Sequence, residues 1–430
     1  MAFQKKSKMS VISKLNLVMS DSRLRGRILF TLGILIVSRV FAAIPIPGID
    51  VLRLESLFSS NEFLSLLNIF SGGGLANLSI VMLGVAPYIT AAIIMQLMTV
   101  MIPKLKAMYQ EEGEAGRKRF AQYSRLLTVP LAVVQGYAFI TLLQRQNILP
   151  PLPASAIVLD ILIIVAGAIL MMWLGELISE FGVGNGVSLL IFAGIVAQIP
   201  VATSQLLFTF TPDQIPVYLV SLGIALLIVL GVVIVTEAER PIPINYAKQV
   251  RGNRVYGGLS TYLPLRVNQA GVMPIIFALS ILLFPQMILQ FLANVNSNIV
   301  QTVSDFLLAF LNNTWFYAIA YFVLVFLFTY FYTAVTFDPD SMSSNLQKSG
   351  AFIPGVRPGQ ATTAYISRIL TRLTLVGALF LGVIAVMPLI IGSITGLQSL
   401  AVGGTGLLIV VSVVLDMMKK IDAQISAREY

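Results

Sequence analysis

Runs of 16 to 25 predominantly apolar residues recur from one end of the chain to the other. A helix of about 20 such residues crosses the roughly 30 Å of hydrocarbon in a bilayer, because each residue adds about 1.5 Å. The composition agrees: 57% of the 430 residues are hydrophobic and only 11% are charged, against about 45–50% and 25% in soluble domains. We therefore expect an all-α, polytopic membrane protein rather than two or three soluble domains.

Ten of these runs are candidate transmembrane helices, and they fall into two sets of five. The first five are residues 28–43, 78–102, 126–143, 156–178 and 187–202, and the second five are residues 217–235, 270–292, 315–335, 369–391 and 403–418. A break near Pro212 divides the chain into a predicted N-terminal half, 1–212, and a C-terminal half, 213–430. Because five spans precede the break, the halves would lie in opposite orientations, as inverted pseudo-symmetric repeats. This inference is topological, since the two halves show no strong residue-level similarity.

Positive charges orient the predicted bundle. Of the 28 Lys and Arg residues, 25 belong to the N-terminus, to the C-terminus or to the loops after spans 2, 6 and 8, which all lie on one side. Only Arg39, Arg53 and Arg145 belong to the other side. Because cytoplasmic loops carry the excess of Lys and Arg, both termini are expected in the cytoplasm. A cleaved signal peptide is a weaker alternative, because the first apolar run continues directly into residues 44–49 without a clear A-x-A site.

The side chains that most enzymes use are missing. The chain contains no Cys and no His, which excludes disulfides, thiolate metal sites, Ser-His triads and zinc sites of the HExxH type. The spans themselves are nearly uncharged: Arg39, Asp160, Glu176 and Asp416 lie near predicted span ends, where they can snorkel or pair. We expect no catalytic residue, no metal and no cofactor.

Two other classes of membrane protein remain as alternatives. A secondary transporter with inverted repeats would couple to an ion through carboxylates near the bilayer centre, and these spans have none there. A Na⁺ site built from carbonyl and hydroxyl oxygens needs no carboxylate, so the absence of carboxylates does not exclude it. An intramembrane protease without His would need a Ser-Lys or paired-Asp constellation, and neither occurs at mid-span.

Two polar segments on the predicted cytoplasmic side are too long to be simple connectors. The first polar segment comprises about residues 237–268 and the second about residues 338–367. In the second, the prolines and glycines of residues 350–359 favour a fixed, non-helical tip. Because long loops in compact proteins are usually functional, we expect both segments to protrude and bind a partner.

A short apolar stripe lies on the predicted outer side, within about residues 62–76. Phe63, Leu66, Leu67 and Phe70 recur at helical spacing, and Gly72, Gly73 and Gly74 follow them. About ten helical residues are too few to span a bilayer, and the glycines would stop the helix or act as a hinge. The pattern predicts a re-entrant half-helix that is buried in protein or lines a wet cavity.

Uncharged polar residues also occur in the spans, namely Thr90, Gln96, Gln135, Asn268 and Gln269. The simpler interpretation is hydrogen bonding between helices, which contributes about 0.6 kcal/mol on average. A functional role is the less favoured alternative on these residues alone.

Dispersed motifs give the chain a family resemblance over its whole length. They are Ile44-Pro-Ile-Pro-Gly-Ile49, Pro87-Tyr-Ile89, Ile94-Met-Gln-Leu97, Glu112-Gly-Glu-Ala-Gly-Arg117, Trp173-Leu-Gly-Glu176, Gly184-Asn-Gly186, Ile191-Phe-Ala-Gly-Ile-Val196, Asn245-Tyr-Ala-Lys248, Leu263-Pro-Leu265, Val267-Asn268, Gly350-Ala-Phe-Ile-Pro-Gly-Val-Arg-Pro-Gly359 and Gly403-Gly-Thr405. In this order they resemble the SecY family, the protein-conducting channels of the bacterial Sec translocon. The resemblance implies a passive conduit for unfolded polypeptides in the bacterial cytoplasmic membrane.

The resemblance also implies a constriction made of aliphatic side chains. By motif position the ring would comprise Val85, Ile89, Val187, Ile191, Ile276 and Ile409. Positions 85/89 and 187/191 are i, i+4 pairs, so each pair would share one helix face. Such a ring can seal by dewetting without binding the chain that passes. Two of the six are Val where relatives are expected to have Ile, which implies a slightly wider or leakier constriction.

The same resemblance implies functions for the other predicted features. The half-helix at about residues 62–76 would be the plug, and Thr90, Gln135 and Asn268 would lie at a lateral gate that opens toward lipid. Arg357, with Lys248, Arg251 and Arg254 in support, would bind the SecA motor or the ribosome. For span-adjacent cations such as Lys104, membrane orientation alone is the better explanation. The family further implies SecE and SecG as subunits, with signal peptides, nascent chains and membrane lipids as further partners.

Overall fold

The computed structural model describes most of the chain. The described residues are 21–46, 71, 73–75, 78–145, 149, 153–208, 215–246, 248–251, 254–257, 260–292, 298–311, 313–395 and 398–426. They form two compact units. One comprises Met1–Thr209 with Val413–Tyr430, and the other comprises Phe210–Ser412.

The first unit is helical. Its helices are α1 (Ser22–Ala42), α2 (Ala86–Met101), α3 (Pro103–Gln110), α4 (Gly113–Arg145), α5 (Ala154–Phe181) and α6 (Gly186–Phe208). Helix α1 begins at Asp21, whose carboxylate accepts the backbone N–H groups of Arg23 at 3.0 Å and Leu24 at 3.4 Å. This cap satisfies amides that no helical carbonyl reaches.

The second unit combines helices with five short strands. Its helices are α7 (Ile215–Glu237), α8 (Met273–Leu292), α9 (Asn298–Leu311), α10 (Thr314–Thr336), α11 (Pro339–Lys348), α12 (Gln360–Thr395) and the first part of α13 (Gln398–Ser426). Its strands are β1 (Glu239–Tyr246), β2 (Lys248–Arg251), β3 (Arg254–Gly257), β4 (Ser260–Arg266) and β5 (Ala351–Phe352). The helical class predicted from the sequence is confirmed, and the strands are an addition that the prediction lacked.

Each of the ten predicted spans overlaps a helix. Among the described residues, three helical stretches are long and apolar enough to cross a membrane, namely Ala154–Phe181, Thr314–Lys348 and Gln360–Met387. A fourth crossing arises if α2 and α3, which meet at a bend of 112°, form one broken span. Shorter apolar helical stretches lie at Gly186–Pro200, Leu222–Glu237 and Met273–Leu282. The count of ten crossings stays a prediction.

The predicted start of the second span is wrong. The prediction began at Leu78, whereas helix α2 begins at Ala86 and the residues before it form turns. Hydropathy does not detect this boundary, because the turn residues are apolar and buried as well. The turn ends at Gly84, whose φ of 54° lies in the left-handed region that favours glycine. Pro87 in the first helical turn then fixes the helix start.

Glycine lets these turns pack against a neighbouring helix in the first unit. A Cβ on Gly167 of α5 would overlap the carbonyl oxygen of Ile80. A Cβ on Gly182, which follows α5, would lie 2.5 Å from the hydroxyl oxygen of Thr31 on α1. That hydroxyl accepts the N–H of Val183 at 3.1 Å. Backbone segments therefore meet at distances that no larger residue permits.

The two polar segments share one antiparallel sheet in the second unit. Its strand order is β4-β1-β5, so β1 pairs with β4 from its own segment and with β5 from the other. The register joins Glu239 to Arg266 at one end and Asn245 to both Ser260 and Phe352 at the other. Strands β2 and β3 form a separate hairpin. The sequence predicted two protruding segments but not their pairing.

Prolines in β1 and β4 obscured the strands in the sequence. Pro241 faces Pro264, and Pro243 faces Tyr262. Proline has no N–H to give to a sheet, so it normally argues against a central strand. Here β5 pairs only with Asn245 and Tyr246 of β1. At Pro241 and Pro243, β1 is therefore an edge strand that pairs on one side only, with β4.

A small apolar core holds the sheet to the helices. Its buried members are Ile242, Leu265, Ile353, Ile366, Ile369 and Leu370. They come from both polar segments and from the first turns of α12. The sheet and α12 are therefore packed as one body within the second unit.

Candidate functional site

Four of the six predicted constriction residues lie at the starts of two helices in the first unit. Val85 immediately precedes α2, and its carbonyl oxygen accepts the N–H of Ile89 at 3.0 Å. Val187 and Ile191 lie in the first two turns of α6. Val85, Ile89 and Ile191 are buried, whereas Val187 is half-buried. One methyl group of Val187 lies 3.3 Å from where a Cβ on Gly175 would stand, so Val187 packs against α5.

The other two constriction residues belong to the second unit. Ile276 lies in the first turn of α8, and its carbonyl oxygen accepts the hydroxyl of Ser280 at 2.9 Å. Ile409 of α13 is fully buried. Closure of all six side chains into one ring stays a prediction.

A glycine with positive φ precedes three of these helix starts. The glycines are Gly84 (φ 54°) before Val85, Gly184 (φ 98°) before Val187 and Gly271 (φ 63°) before Ile276. A left-handed residue turns the chain sharply and releases it into a new helix. Before α2 the turn residues are themselves apolar, so hydropathy alone shows no boundary there. Gly84, just upstream, is the signal that would have located the start of α2.

The predicted plug lies partly outside the described residues. Phe63, Leu66, Leu67, Phe70 and Gly72 belong to that part, whereas Gly73 and Gly74 are described. The oxygen of Gly74 accepts the N–H of Ser79 at 2.9 Å, and a Cβ on Gly74 would lie 2.8 Å from the Ser79 hydroxyl. Gly74 is therefore packed closely against Ser79.

A short bridge closes the loop in which the plug was predicted. Pro45, just after α1, and Ser79, before α2, are antiparallel partners. The N–H of Ile46 donates to Leu78 at 2.9 Å, and the N–H of Ile80 donates to Ile44 at 3.0 Å. Both ends of the intervening loop are thus held at one place. We call Ser71 and residues 73–75 the loop base.

The predicted lateral-gate residues make mainly local hydrogen bonds. The Thr90 hydroxyl donates to the carbonyl of Ala86, one turn earlier, at 3.0 Å. The amide of Asn268 accepts the N–H of Gly271 at 2.9 Å and donates to its carbonyl at 3.2 Å. Gln135 is buried in α4, which packs against α2. Asn268 thereby stabilises the turn at Gly271, a role that its sequence position did not indicate.

The tip of the second polar segment is fixed and non-helical, as the sequence predicted. Its turn places Gly355 and Gly359 at φ 81° and 99°. The Ser343 hydroxyl donates to the carbonyl of Gly359 at 3.0 Å, and the Thr362 hydroxyl donates to that of Arg357 at 2.9 Å. The Arg357 side chain is exposed. A cation is thus presented to solvent on an ordered backbone.

The supporting cations of the first polar segment lie on the β2–β3 hairpin. Lys248 pairs in register with Gly257, and Arg251 pairs with Arg254. Their side chains lie outside the described part of the structure. The backbone places the two arginines directly opposite each other at the end of the hairpin.

Charged residues near the predicted span ends form ion pairs. Arg125 Nε on α4 lies 2.6 Å from Glu176 Oε1 on α5. Asp416 and Lys420 pair at 3.0 Å along α13. Within the described ranges, no group of three or more acidic side chains could hold a metal ion. The first pair therefore joins α4 to α5, whereas the second lies within α13.

Comparison with known proteins assigns the chain to a family. The sequence profile of the family described as SecY matches residues 79–418. The protein translocase subunit SecY of Mycobacterium tuberculosis is 42% identical over 427 residues, which cover 95% of this chain and 96% of that protein. The chain belongs to the SecY family. The SecY subunit of Halalkalibacterium halodurans is also 42% identical, over 422 residues and with the same coverage of each chain.

Solved structures agree with the SecY fold. A structure described as that of a protein conducting channel superposes with a TM-score of 0.67 at 20% identity, covering 98% of each chain. Sec61 from the canine ribosome-channel complex of the endoplasmic reticulum gives a TM-score of 0.62 at 19% identity and the same coverage. The fold of this SecY family member is therefore that of a multi-pass, helical channel protein.

Proposed function

We propose that the chain is the central channel subunit of a Sec translocon. It serves as a passive conduit for unfolded secretory polypeptides across the bacterial cytoplasmic membrane and for lateral insertion of transmembrane segments into it. The observation that carries this proposal is the 42% identity to a protein translocase subunit over 95% of the chain. Both termini lie in the cytoplasm, which the placement of 25 of 28 cations supports.

In this function the six predicted aliphatic side chains form the constriction, and all of them except Ile409 lie at helix starts. Val85, Ile89, Val187 and Ile191 come from the N-terminal half, 1–212, and Ile276 and Ile409 come from the C-terminal half, 213–430. Branched aliphatics exclude water when the pore is empty and offer no hydrogen bond to a passing chain. The loop between α1 and α2 acts as the plug. Thr90, Gln135 and Asn268 flank the lateral gate.

The sheet formed by the two polar segments is the cytoplasmic docking platform. Arg357 is exposed on its fixed tip, and Lys248, Arg251 and Arg254 lie on the adjoining segment. These cations bind acidic surfaces of the SecA motor or phosphates of ribosomal RNA. SecE and SecG complete the membrane complex, which has no catalytic centre of its own and takes its energy from the motor or the ribosome.

A reconstitution experiment tests the channel function. Liposomes containing this chain with SecE and SecG should protect a secretory precursor from external protease when SecA and ATP are added. Omission of ATP should abolish protection, since the channel itself supplies no energy. The secondary-transporter alternative predicts concentrative solute uptake by liposomes that contain this chain alone. Such uptake without any precursor protection would overturn the proposed function.

A further inference from the structure

Helix α9 exposes its large apolar side chains. Val303, Phe306 and Leu307 recur at i, i+3 and i+4, so they share one face of the helix, and all three are exposed, Phe306 to 70%. The helix packs against α8 and α10, and Ser304, on the side away from Phe306, is only 2% exposed. A surface helix in water has the reverse arrangement, with its polar side chains outward. The exposed face of α9 is therefore not one that suits contact with water.

The length of α9 excludes a crossing of the bilayer. Its 14 residues extend about 21 Å at about 1.5 Å per residue, whereas the hydrocarbon of a bilayer is about 30 Å thick. Short helices with one apolar face lie in the plane of the membrane interface, with that face toward the acyl chains. Length and polarity together therefore favour a helix that lies along a membrane surface.

Helix α10 places α9 at such a surface. It begins three residues after α9 ends, and the helical stretch Thr314–Lys348 is long and apolar enough to cross a membrane. The side chain of Asn313 accepts the backbone N–H groups of Trp315 at 3.1 Å and Phe316 at 3.4 Å, which caps the start of α10. The junction between the two helices is thus the end of a span, and α9 lies beside that end.

An exposed apolar stripe on α10 begins at the same junction. Trp315, Ile319, Val323 and Leu327 follow one another at four-residue spacing, and all four are exposed. On a helix that spans a bilayer such a stripe faces lipid, and Trp is typical of the membrane–water interface. The lipid that covers this stripe therefore reaches the point at which α9 ends.

The charge of α9 excludes an anchor that depends on anionic lipid. The sequence has no Lys or Arg between Arg266 and Lys348, and Asp305 is the one charged residue of α9. Many interfacial helices combine burial of apolar side chains with attraction of Lys and Arg to anionic headgroups. In α9 only the burial of apolar side chains is available, so lipid charge should have no effect on its position.

We propose that α9 is an interfacial lipid anchor. The face formed by Val303, Phe306 and Leu307 lies among the acyl chains just below the phospholipid headgroups, at the membrane surface where α10 begins. Because α9 packs against α8 as well as α10, the anchor sets the depth of both helices in the bilayer. In the proposed orientation of the chain this is the outer surface. The inference goes beyond the proposed function, since it requires only that α10 spans a bilayer.

A nitroxide spin label on α9 measures its depth directly. The chain contains no Cys, so Phe306→Cys introduces one thiol into the complete complex, whose other subunits are also used in Cys-free form. The complex is reconstituted into phosphatidylcholine vesicles, where oxygen concentrates in the hydrocarbon and a neutral nickel chelate in the water. We expect the label to collide mainly with oxygen, at a depth of about 5–10 Å. Ile319→Cys on α10 is the lipid-exposed reference, and Gln347→Cys on α11 is the water-exposed reference.

Three results would overturn the proposal. Nickel access equal to that at Gln347→Cys would place the apolar face in water. Exclusion of both oxygen and nickel would mean that a protein surface covers it. A change of depth in vesicles that contain phosphatidylglycerol would show selection by lipid charge. The same depth in both kinds of vesicle, with oxygen as the main collision partner, supports the neutral anchor.

Removal of the apolar face tests whether it holds α9 in place. The label is attached to Ala309→Cys, an exposed position one turn after Phe306. In this background Val303→Ser with Phe306→Ser should raise the nickel collision rate several-fold, because the apolar area that favours the lipid is lost. Leu219→Ser with Leu222→Ser is the matched control, since it removes two exposed apolar side chains at the same spacing from α7, and it should leave the rate unchanged.

The comparison of these variants decides the role of the face. An unchanged nickel collision rate in the α9 double variant would overturn the anchor, as would an equal rise in the α7 control. Neither SecA nor a precursor is present in the measurement. A protein that shows the expected label depths but fails to translocate would therefore contradict the channel function and leave the anchor supported.

Discussion

Asn245 and Phe352 are register partners in one antiparallel sheet, although they belong to different polar segments. Asn245 lies near the end of β1, and Phe352 closes the two-residue strand β5, five residues before Arg357. The pairing therefore joins the basic hairpin to the basic tip. Since both segments also contribute to the core around Ile366, a force applied to either is transmitted to α12.

A disulfide should form between these two partners. Antiparallel partners have Cα atoms about 4.5–5.5 Å apart, and a disulfide needs about 4.4–6.8 Å. Asn245→Cys with Phe352→Cys, in a chain carrying an inserted protease site between α8 and α9, should leave two fragments that stay linked until reductant is added. Tyr246→Cys with Phe352→Cys is the control, because neighbouring strand residues point to opposite faces. Free fragments from the first pair would contradict the shared sheet.

Reversal of the charge at Arg357 should abolish motor-driven translocation. Arg357→Glu places a carboxylate on an exposed, hydrogen-bonded tip, so the fold and the amount inserted should not change. Like-charge contact with an acidic partner surface should reduce SecA-dependent protection of a precursor at least tenfold, an effect of about 1.4 kcal/mol or more. Lys104→Glu, an exposed cation beside α2, should translocate normally. Equal rates for the two variants would count against docking at the tip.

Removal of side chains from the predicted constriction should let ions pass. Ile191 and Ile276 are buried branched aliphatics at helix starts, and replacing both by Gly removes the apolar surface that excludes water. Planar-bilayer recordings of the reconstituted complex should show several-fold higher resting conductance. Ile36→Gly is the control, because Ile36 of α1 is 64% exposed. Unchanged conductance in the double variant would argue that these residues only pack the helices.

The sequence predicts helices better than it predicts where they start. Residues 78–85 are as apolar as α2 itself, so a hydropathy pattern includes them, and only Gly84 and Pro87 show the boundary. Apolar runs report burial or lipid exposure, whereas the direction of the backbone depends on single residues. The same limitation applies to the constriction, because Ile191 and Ile276 differ from other buried aliphatics only by position.

The sequence also does not show which distant segments pair with each other in the fold. Strand β1 buries only Ile242 and Ile244, and its prolines favour a non-strand interpretation. Strand β5 has two residues, which is too short for any periodic signal. The approach of Arg39 on α1 and Gln198 on α6 to Gly73 is also not visible in the sequence, because residues on three separate segments meet only through the fold. The glycine run at residues 72–74 predicted a hinge, but it did not predict that Gly74 packs closely against Ser79.

The ion pair between Arg125 and Glu176 should stabilise the contact of α4 with α5. Glu176 keeps only 21% of its side chain exposed, and Arg125 keeps 46%. Loss of one partner leaves a partly buried charge, so Arg125→Met should destabilise the protein by about 1 kcal/mol, a value between exposed and buried pairs. Thermal unfolding of the detergent-purified complex measures the effect. A double variant with Glu176→Gln should recover part of the loss.

The pair between Lys420 and Asp416 provides the comparison for that experiment. Its side chains are about half exposed and lie one turn apart on α13. Such i, i+4 pairs contribute about 0.3–0.5 kcal/mol and are screened by salt. Lys420→Met should therefore lower the melting temperature less than Arg125→Met does. Equal decreases in melting temperature would mean that the Arg125–Glu176 pair stabilises the protein no more than an exposed surface ion pair does.

A methyl group at Gly167 should disturb both stability and the loop base. Its Cβ would overlap the Ile80 carbonyl, so α5 or the turn before α2 must shift, at a cost of roughly 1–3 kcal/mol for overpacking. Ile80 also donates its N–H to Ile44 beside the Pro45–Ser79 bridge. Gly167→Ala should therefore lower the melting temperature. It should also speed the reaction of a membrane-impermeant maleimide with Ser71→Cys, a buried position and the single thiol in a chain without other Cys. Gly223→Ala on α7, where nothing lies within 4 Å, should do neither. A Gly167→Ala protein with a lower melting temperature but the same labelling rate as the Ser71→Cys parent would show that the turn before α2 shifts without displacing the Pro45–Ser79 bridge.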